Sequence, residues 1–169
     1  MPPELCEHTV IGDVCDAKYK GLLELSLNYC AYFSLVQRRC VDLEASAHRV
    51  FSHLKSAIVS EQETSEWPGT RLIDDTAVMR VYVLNSVTEV VLATEASSLF
   101  DWIQPSLPED LCLRRADMSP WLVTISHEHD AYFVTNSDEI EMIRRLGIRV
   151  ERDLGTEDAG GGEQPCAAP

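Results

Sequence analysis

Apolar and polar positions in the first third of the chain follow helical periodicity. From about Tyr19 to Arg39, apolar residues recur at spacings of three and four, and further apolar residues fill the opposite side. A helix that is apolar nearly all round belongs in the centre of a core. A second apolar stripe runs from Leu43 to Val59, and Asp42 stands where a helix N-cap is expected. Because the intervening segment is short, the pattern predicts a helical hairpin.

The middle of the chain changes to loop, strand and helix patterns. Residues 60 to 71 are polar and end in the turn sequence Trp-Pro-Gly, followed by Thr-Arg. Residues 78 to 84 are rich in β-branched side chains, which predicts a strand. Ser86 and Glu89 have the spacing of a capping box, so residues 87 to 103 are predicted to form a helix.

The last third of the chain predicts three more strands and a final helix. Short apolar runs separated by turn residues predict strands at 111–115, 121–126 and 131–135. Asn136 or Ser137 is placed to cap a helix at 138–146, whose acidic first turn and basic last turn suit the helix dipole. Three sequential strands with short connections favour a meander.

Together these elements predict an α+β fold. The helical hairpin and further helices would pack on a small antiparallel sheet of about four strands, formed by residues 78–84 and 111–135. Residues 1–17 lack periodicity and are expected to be a loosely ordered lead-in, followed by a single domain at 18–150. The composition of residues 153–169 predicts a disordered acidic Gly-rich tail, because it offers little apolar surface to bury.

The charge of the chain restricts its partners. Lys and Arg total 14 and Asp and Glu total 28 among 169 residues, which gives a net charge of −14. Phosphate binding requires clustered cations, so we expect no direct contact with nucleic acid or with an anionic membrane. A protein partner is compatible with this charge, and a basic partner complements it.

The sequence predicts a cytoplasmic protein. Its most apolar stretch, residues 21–36, contains Glu24 and Asn28 and is shorter than the roughly 20 apolar residues of a membrane-spanning helix. The N-terminus lacks the basic region and apolar run of a secretory signal. Six cysteines form no Cys-x-x-Cys pair, so we expect reduced thiols and no cofactor.

The segment Ser-His-Glu-His-Asp is the densest polar group in the chain. On an extended strand His127 and His129 would point to the same side, and with Asp130 they would suit a zinc or iron ion. This segment resembles the His-x-His-x-Asp-His motif of the metallo-β-lactamase superfamily only at His127 and His129, because Ala131 and Tyr132 occupy the last two positions. The alternative is a polar turn whose side chains hydrogen-bond the backbone.

A functional hypothesis follows from size, acidity and the absence of a complete catalytic motif. We expect a non-catalytic protein of regulatory or immunity type that acts by binding a protein partner. Trp67, in its Pro-Gly turn, is the candidate for an exposed anchor of that partner, and core packing is the alternative for this residue. Two other functions stay open: a metal-dependent enzyme that uses the His-Glu-His-Asp segment, and an acidic mimic of nucleic acid.

Two segments resemble small bacterial proteins of uncharacterised function. They are Leu-Pro-Glu-Asp-Leu-Cys-Leu-Arg-Arg at 107–115 and Pro-Trp-Leu-Val-Thr-Ile-Ser-His-Glu at 120–128. The resemblance extends from Trp67 to Leu146 and implies no activity and no site residue.

Overall fold

Residues 4–153 are described by a computed structural model, and they form four α-helices and ten β-strands. The helices are α1 (Asp16–Ser26), α2 (Ala45–Leu54), α3 (Ser86–Glu95) and α4 (Ser137–Arg145). The strands are β1 (Cys6–Ile11), β2 (Tyr32–Arg38), β3 (Ile58–Thr64), β4 (Glu66–Trp67), β5 (Thr70–Arg71), β6 (Ala77–Val83), β7 (Glu109–Arg114), β8 (Pro120–Ile125), β9 (Asp130–Thr135) and β10 (Arg149–Arg152). Short 3₁₀ helices occupy Lys55–Ala57, Leu99–Asp101 and Ser126–Glu128.

Eight of the strands form one antiparallel sheet in the order β10-β1-β9-β8-β7-β2-β6-β3. The other two, β4 and β5, form a separate hairpin. The elements β2-α2-β3-β6-α3-β7 make a βαββαβ motif of the ferredoxin-like kind, with strand order β7-β2-β6-β3 and with the hairpin β4–β5 inserted between β3 and β6. Strands β8 and β9 continue the sheet from β7, and β1 is inserted between β9 and β10.

The main core lies between the sheet and the helices. Leu122 and Phe133 are paired across β8 and β9 and belong to a buried cluster that contains residues from all four helices. Within this core the Tyr19 hydroxyl donates to the carbonyl of Leu92 at 3.2 Å and accepts from the Trp102 indole at 2.9 Å. These bonds satisfy the polar atoms of two fully buried aromatic side chains and tie α1 to α3.

The hairpin β4–β5 packs on a second apolar cluster outside the main core. Trp67 joins Val36 and Ala77 there. The turn of the hairpin places Gly69 at φ +85, and a Cβ atom at this position would lie 2.7 Å from the Ile125 side chain. Glycine therefore allows both the turn and its close approach to β8.

The predicted fold class is wrong in its helical hairpin and in the size of its sheet. Residues 32–38 form the internal strand β2, and the first helix ends at Ser26. Phe33, Leu35 and Val36 are all buried, because β2 is covered on both faces. A strand of this kind gives a continuous apolar run, which periodicity alone does not distinguish from a buried helix.

The prediction also missed three polar strands, β1, β3 and β10. Residues 6–11, expected in a loose lead-in, form β1 and pair with both β9 and β10. Residues 58–64 form β3, although their sequence suggested the end of a helix and the start of a loop. β3 and β10 are the two edges of the sheet, and edge strands with polar side chains carry a weak apolar pattern.

Several predicted elements are confirmed. The structure contains β6, the meander β7-β8-β9 and α4 at the expected places, and α2 within its predicted range. The predicted N-cap Asp42 is wrong, because α2 begins after Glu44, which makes no side-chain cap. Asn136 caps α4 by accepting from the amides of Asp138 and Glu139, and Gly147 follows the helix at φ +77. The cap of α3 is Asn85 rather than Ser86, and this helix ends at Glu95, well before residue 103.

The predicted tail at 153–169 falls outside the described residues except for Asp153. Its amide donates to the carbonyl of Glu7 at 3.0 Å, which extends the pairing of β1 with β10 by one residue. None of the helices within 4–153 has the length and apolar character needed to cross a membrane.

Candidate functional site

The His-Glu-His-Asp segment does not form the extended strand on which the metal hypothesis rested. Residues 126–128 make a 3₁₀ turn, His129 is left-handed at φ +53, and Asp130 begins β9. His127 lies 3.6 Å from the carboxylate of its neighbour Glu128, whereas the His129 ring packs on Phe100 with centroids 5.3 Å apart. Within residues 4–153, no group of three or more His, Cys, Asp or Glu side chains is placed to hold a metal ion.

Trp67, the candidate anchor for a partner, is packed rather than exposed. Its side chain is 7% exposed, and its indole donates to Asp110 Oδ2 at 2.8 Å. Asp110 is itself buried in a left-handed conformation, and its Oδ1 accepts from the amide of Ser126 at 2.9 Å. Trp67 therefore fastens the hairpin to β7. The Trp-Pro-Gly sequence indicates the turn, but it does not specify the direction of the ring.

A concave surface lined by three acidic side chains lies along the start of α1 and the end of α3. Two adjoining cavities of about 520 and 390 Å³ share Glu95 and Asp101 in their walls. We call them together the acidic groove. Its other wall and floor residues include Asp16, Lys20, Ser46, Ala93, Ala96, Phe100, Ile103 and Leu107.

Asp16 is placed in the groove by an unusual backbone. It is the first residue of α1 and has φ +51, which is uncommon for a residue with a side chain. Its amide donates to the carbonyl of Ser97 at 2.7 Å, and Cys15 forms a bridge with Ser98. These contacts fix the start of α1 against the segment that follows α3. Strained conformations of this kind often accompany functional positions, because the surrounding structure has to maintain them.

Asp101 is held by the same segment. Its Oδ2 accepts from the amides of Ser97 and Ser98, both at 2.8 Å, and from the Ser97 hydroxyl at 3.0 Å. Its Oδ1 has no hydrogen-bond partner among the described residues. Within residues 4–153 neither Asp16 nor Asp101 forms an ion pair, although Lys20 lines the same cavity.

Glu95, between the two cavities, behaves differently. Arg49 of α2 donates three hydrogen bonds to its carboxylate at 2.7 to 3.1 Å, and His53 Nδ1 lies 3.5 Å away. The hydrogen bond from Arg49 lowers the pKa of Glu95 and raises the pKa of Arg49. This pair links α2 to α3 and neutralises Glu95. The attraction of the groove for a cation therefore comes from Asp16 and Asp101.

The floor of the groove is apolar. Phe100 and Leu107 are 8% and 6% exposed, and Ile103 is half-buried beside them. Ala93 and Ala96 carry only methyl side chains, which leaves room above α3. An apolar floor beneath charged walls suits a ligand with both an aliphatic stem and a positive head, as lysine and arginine have.

Sequence reasoning missed this site because its two aspartates are 85 positions apart (101 minus 16). Ser98 with Asp101 three residues later is a capping box, and that spacing is the local signal that was available.

The chain was also compared with family models, curated proteins and solved structures, and none of them matched. Function is therefore argued from the geometry of the chain itself.

Proposed function

We propose that the protein acts by binding a basic segment of a partner protein in the acidic groove, in a regulatory or immunity-type role without catalysis. The observation that carries this proposal is the pair of carboxylates without an ion-pair partner, Asp16 and Asp101, above an apolar floor. The free Oδ1 of Asp101 offers an acceptor for a guanidinium or ammonium group. A charge-assisted bond of this kind is about twice as strong as a neutral one.

Arginine fits the groove better than lysine. Its planar guanidinium can bond a carboxylate in two places while its stem packs on apolar surface. Phe100 lies in the floor, where its edge contributes to the apolar surface under such a stem. The net charge of −14 also attracts a basic partner over a distance of several ångströms, which raises the association rate at low salt.

The test uses an array of short arginine-containing peptides and a matched array with citrulline, the neutral analogue of arginine. The wild-type protein should bind a subset of the arginine peptides and none of their citrulline counterparts. The Asp16→Asn, Asp101→Asn double variant should bind that subset about tenfold more weakly, since tenfold corresponds to the loss of one modest charge-assisted bond. Asparagine keeps an acceptor for the amides of Ser97 and Ser98 and tolerates the left-handed backbone of residue 16.

The matched control is the Asp74→Asn, Glu141→Gln double variant. It removes the same number of charges from exposed positions outside the groove. Equal weakening in both double variants would mean that net charge, and not the groove, attracts the peptides. In that case the proposed site is wrong.

Backbone amide shifts then locate the bound peptide. The amides of Ser97, Ser98 and Asp101 should move on titration, because two of them donate to the carboxylate that the arginine contacts. Shifts confined to the edge strand β3 would contradict the groove and would indicate strand addition instead. Capture of a cellular protein by wild type and control, but not by the groove variant, would then identify the partner.

A further inference from the structure

A third cavity, of about 480 Å³, opens between α4 and the strands β1 and β10. Its lining includes Cys6, His8, Thr135, Arg144 and Arg152. We infer that it binds a small ligand that carries an oxyanion, either a carboxylate or a phosphate, next to a hydrogen-bond donor. We call it the His8 cavity. The inference is independent of the acidic groove, because the two sites share no residue.

His8 provides an acceptor that lacks a partner. The residue is 6% exposed, and its Nδ1 lies 3.1 Å from the carbonyl of Cys6 and 3.3 Å from the Thr135 hydroxyl. A carbonyl only accepts, so Nδ1 carries the ring proton of the neutral imidazole and Nε2 is left as an acceptor. Within residues 4–153 no group donates to Nε2. Nε2 is accessible from the cavity, so water or a ligand that brings a donor can bond to it.

Two arginines make the same cavity positive. Burial and the charges of Arg144 and Arg152 lower the pKa of His8, although its bond to the Cys6 carbonyl acts in the opposite direction. Neither arginine forms an ion pair with a described residue. Arg152 instead donates to the sulfur of Cys6 at 3.1 Å. Both arginines are exposed and line the cavity, so their guanidinium groups are available to an external anion.

The two arginines and the acceptor on the His8 ring together indicate the chemistry of the ligand. The two guanidinium groups can hold an oxyanion, whereas Nε2 of the His8 ring can accept from a donor of the same ligand. A carboxylate with an adjacent hydroxyl group satisfies both, and so does a phosphate that keeps one P–OH. Glu4 also borders the cavity, and its negative charge would disfavour a ligand that carries further anionic groups on that side. The best match is a small hydroxy acid or a phosphate monoester.

The test follows the ring signals of His8 by NMR during titration with four probes. These are lactate, acetate, inorganic phosphate and sodium chloride at matched ionic strength. Lactate or phosphate should shift the His8 signals saturably, and acetate should bind more weakly because it has no donor. The exposed His48 and His53 rings serve as internal controls, since they lie outside the cavity. Saturation by lactate alone identifies a carboxylate ligand, and saturation by phosphate alone identifies a phosphate ligand.

Two matched double variants connect the shifts to the cavity. Arg144→Gln with Arg152→Gln should weaken binding at least about tenfold. Arg145→Gln with Arg149→Gln removes the same charge from exposed positions outside the cavity and should leave binding unchanged. Thermal unfolding of both variants checks that they fold. The inference is wrong if no probe gives a saturable shift, if acetate binds as well as lactate, or if both variants behave alike. The Asp16→Asn, Asp101→Asn variant should bind the probes like wild type, which separates this test from that of the groove.

Discussion

The acidic groove and the His8 cavity have opposite charges but share one property. In the groove, Asp16 and Asp101 are held by backbone and serine contacts, without an ion pair among the described residues. In the cavity, Arg144 and Arg152 lie near a neutral histidine, without an ion-pair partner among the described residues. Other charges are paired within the chain, as in the ion pair Arg115–Glu139. The difference teaches that these two concave surfaces offer opposite charges to external groups.

The largest expected effect is the difference in stability between removing a charge that has an ion-pair partner and removing one that has none. Arg115 donates to Glu139 at 2.7 and 2.8 Å, and the Glu139 side chain is only 7% exposed. Arg115→Ala should lower the free energy of unfolding by about 3 kcal/mol, because it leaves a buried carboxylate without its partner. Arg144→Ala removes an open charge and should change stability by less than about 0.5 kcal/mol. Denaturant unfolding measures the free energy of unfolding of both variants. Similar losses of stability in the two would contradict the distinction between paired and unpaired charges.

The second effect concerns His8 and pH. Because the folded pKa of His8 lies below its usual 6.5, the unfolded chain takes up a proton that the folded chain refuses as pH falls below 6.5. The contribution of His8 to stability is therefore present above pH 6.5 and lost below it, by at most about 1.4 kcal/mol per pH unit. The difference in stability between wild type and His8→Gln, measured from pH 7.5 to 5, should follow this slope. A difference independent of pH would show that the ring titrates normally in the fold.

A smaller effect tests whether an open buried charge costs stability. Glu89 of α3 is 9% exposed, and burial followed by the charge of Glu24 raises its pKa. A raised folded pKa favours the fold at low pH, and this advantage is lost as pH rises through that pKa. Glu89→Gln should therefore stabilise the protein by about 1 kcal/mol at pH 7 and by much less at pH 4. Thermal unfolding at the two pH values measures the difference, and a destabilised variant at pH 7 would reveal a partner for Glu89.

Local patterns predicted the meander, α2 and α4, because turn residues and caps act over a few positions. Asn136 and Gly147 define α4 from neighbouring residues alone. The pattern failed at β2, whose burial on both faces depends on strands far away in the sequence. It failed at β1 because polar residues alternate there with His8 and Val10, and a buried histidine does not look apolar in a sequence.

The candidate sites were less predictable than the fold. The density of polar residues in the sequence favoured His127, His129 and Asp130 as a site. In the structure, however, His127 lies within a 3₁₀ turn and His129 follows it. Each proposed site instead joins residues distant in sequence, such as Asp16 with Asp101 and His8 with Arg144. Their proximity depends on sheet order and on helix ends. A single sequence without its fold does not report either of these.

The central claim is that open charges in the acidic groove recruit a basic partner. The most direct measurement is the association rate of the tightest arginine peptide, by stopped flow, at low and at physiological salt. Wild type and the Asp74→Asn, Glu141→Gln control should associate fast at low salt and more slowly as salt screens the attraction. The Asp16→Asn, Asp101→Asn variant should associate more slowly at low salt and depend less on salt. Equal rates and equal salt dependence in all three proteins would contradict the account.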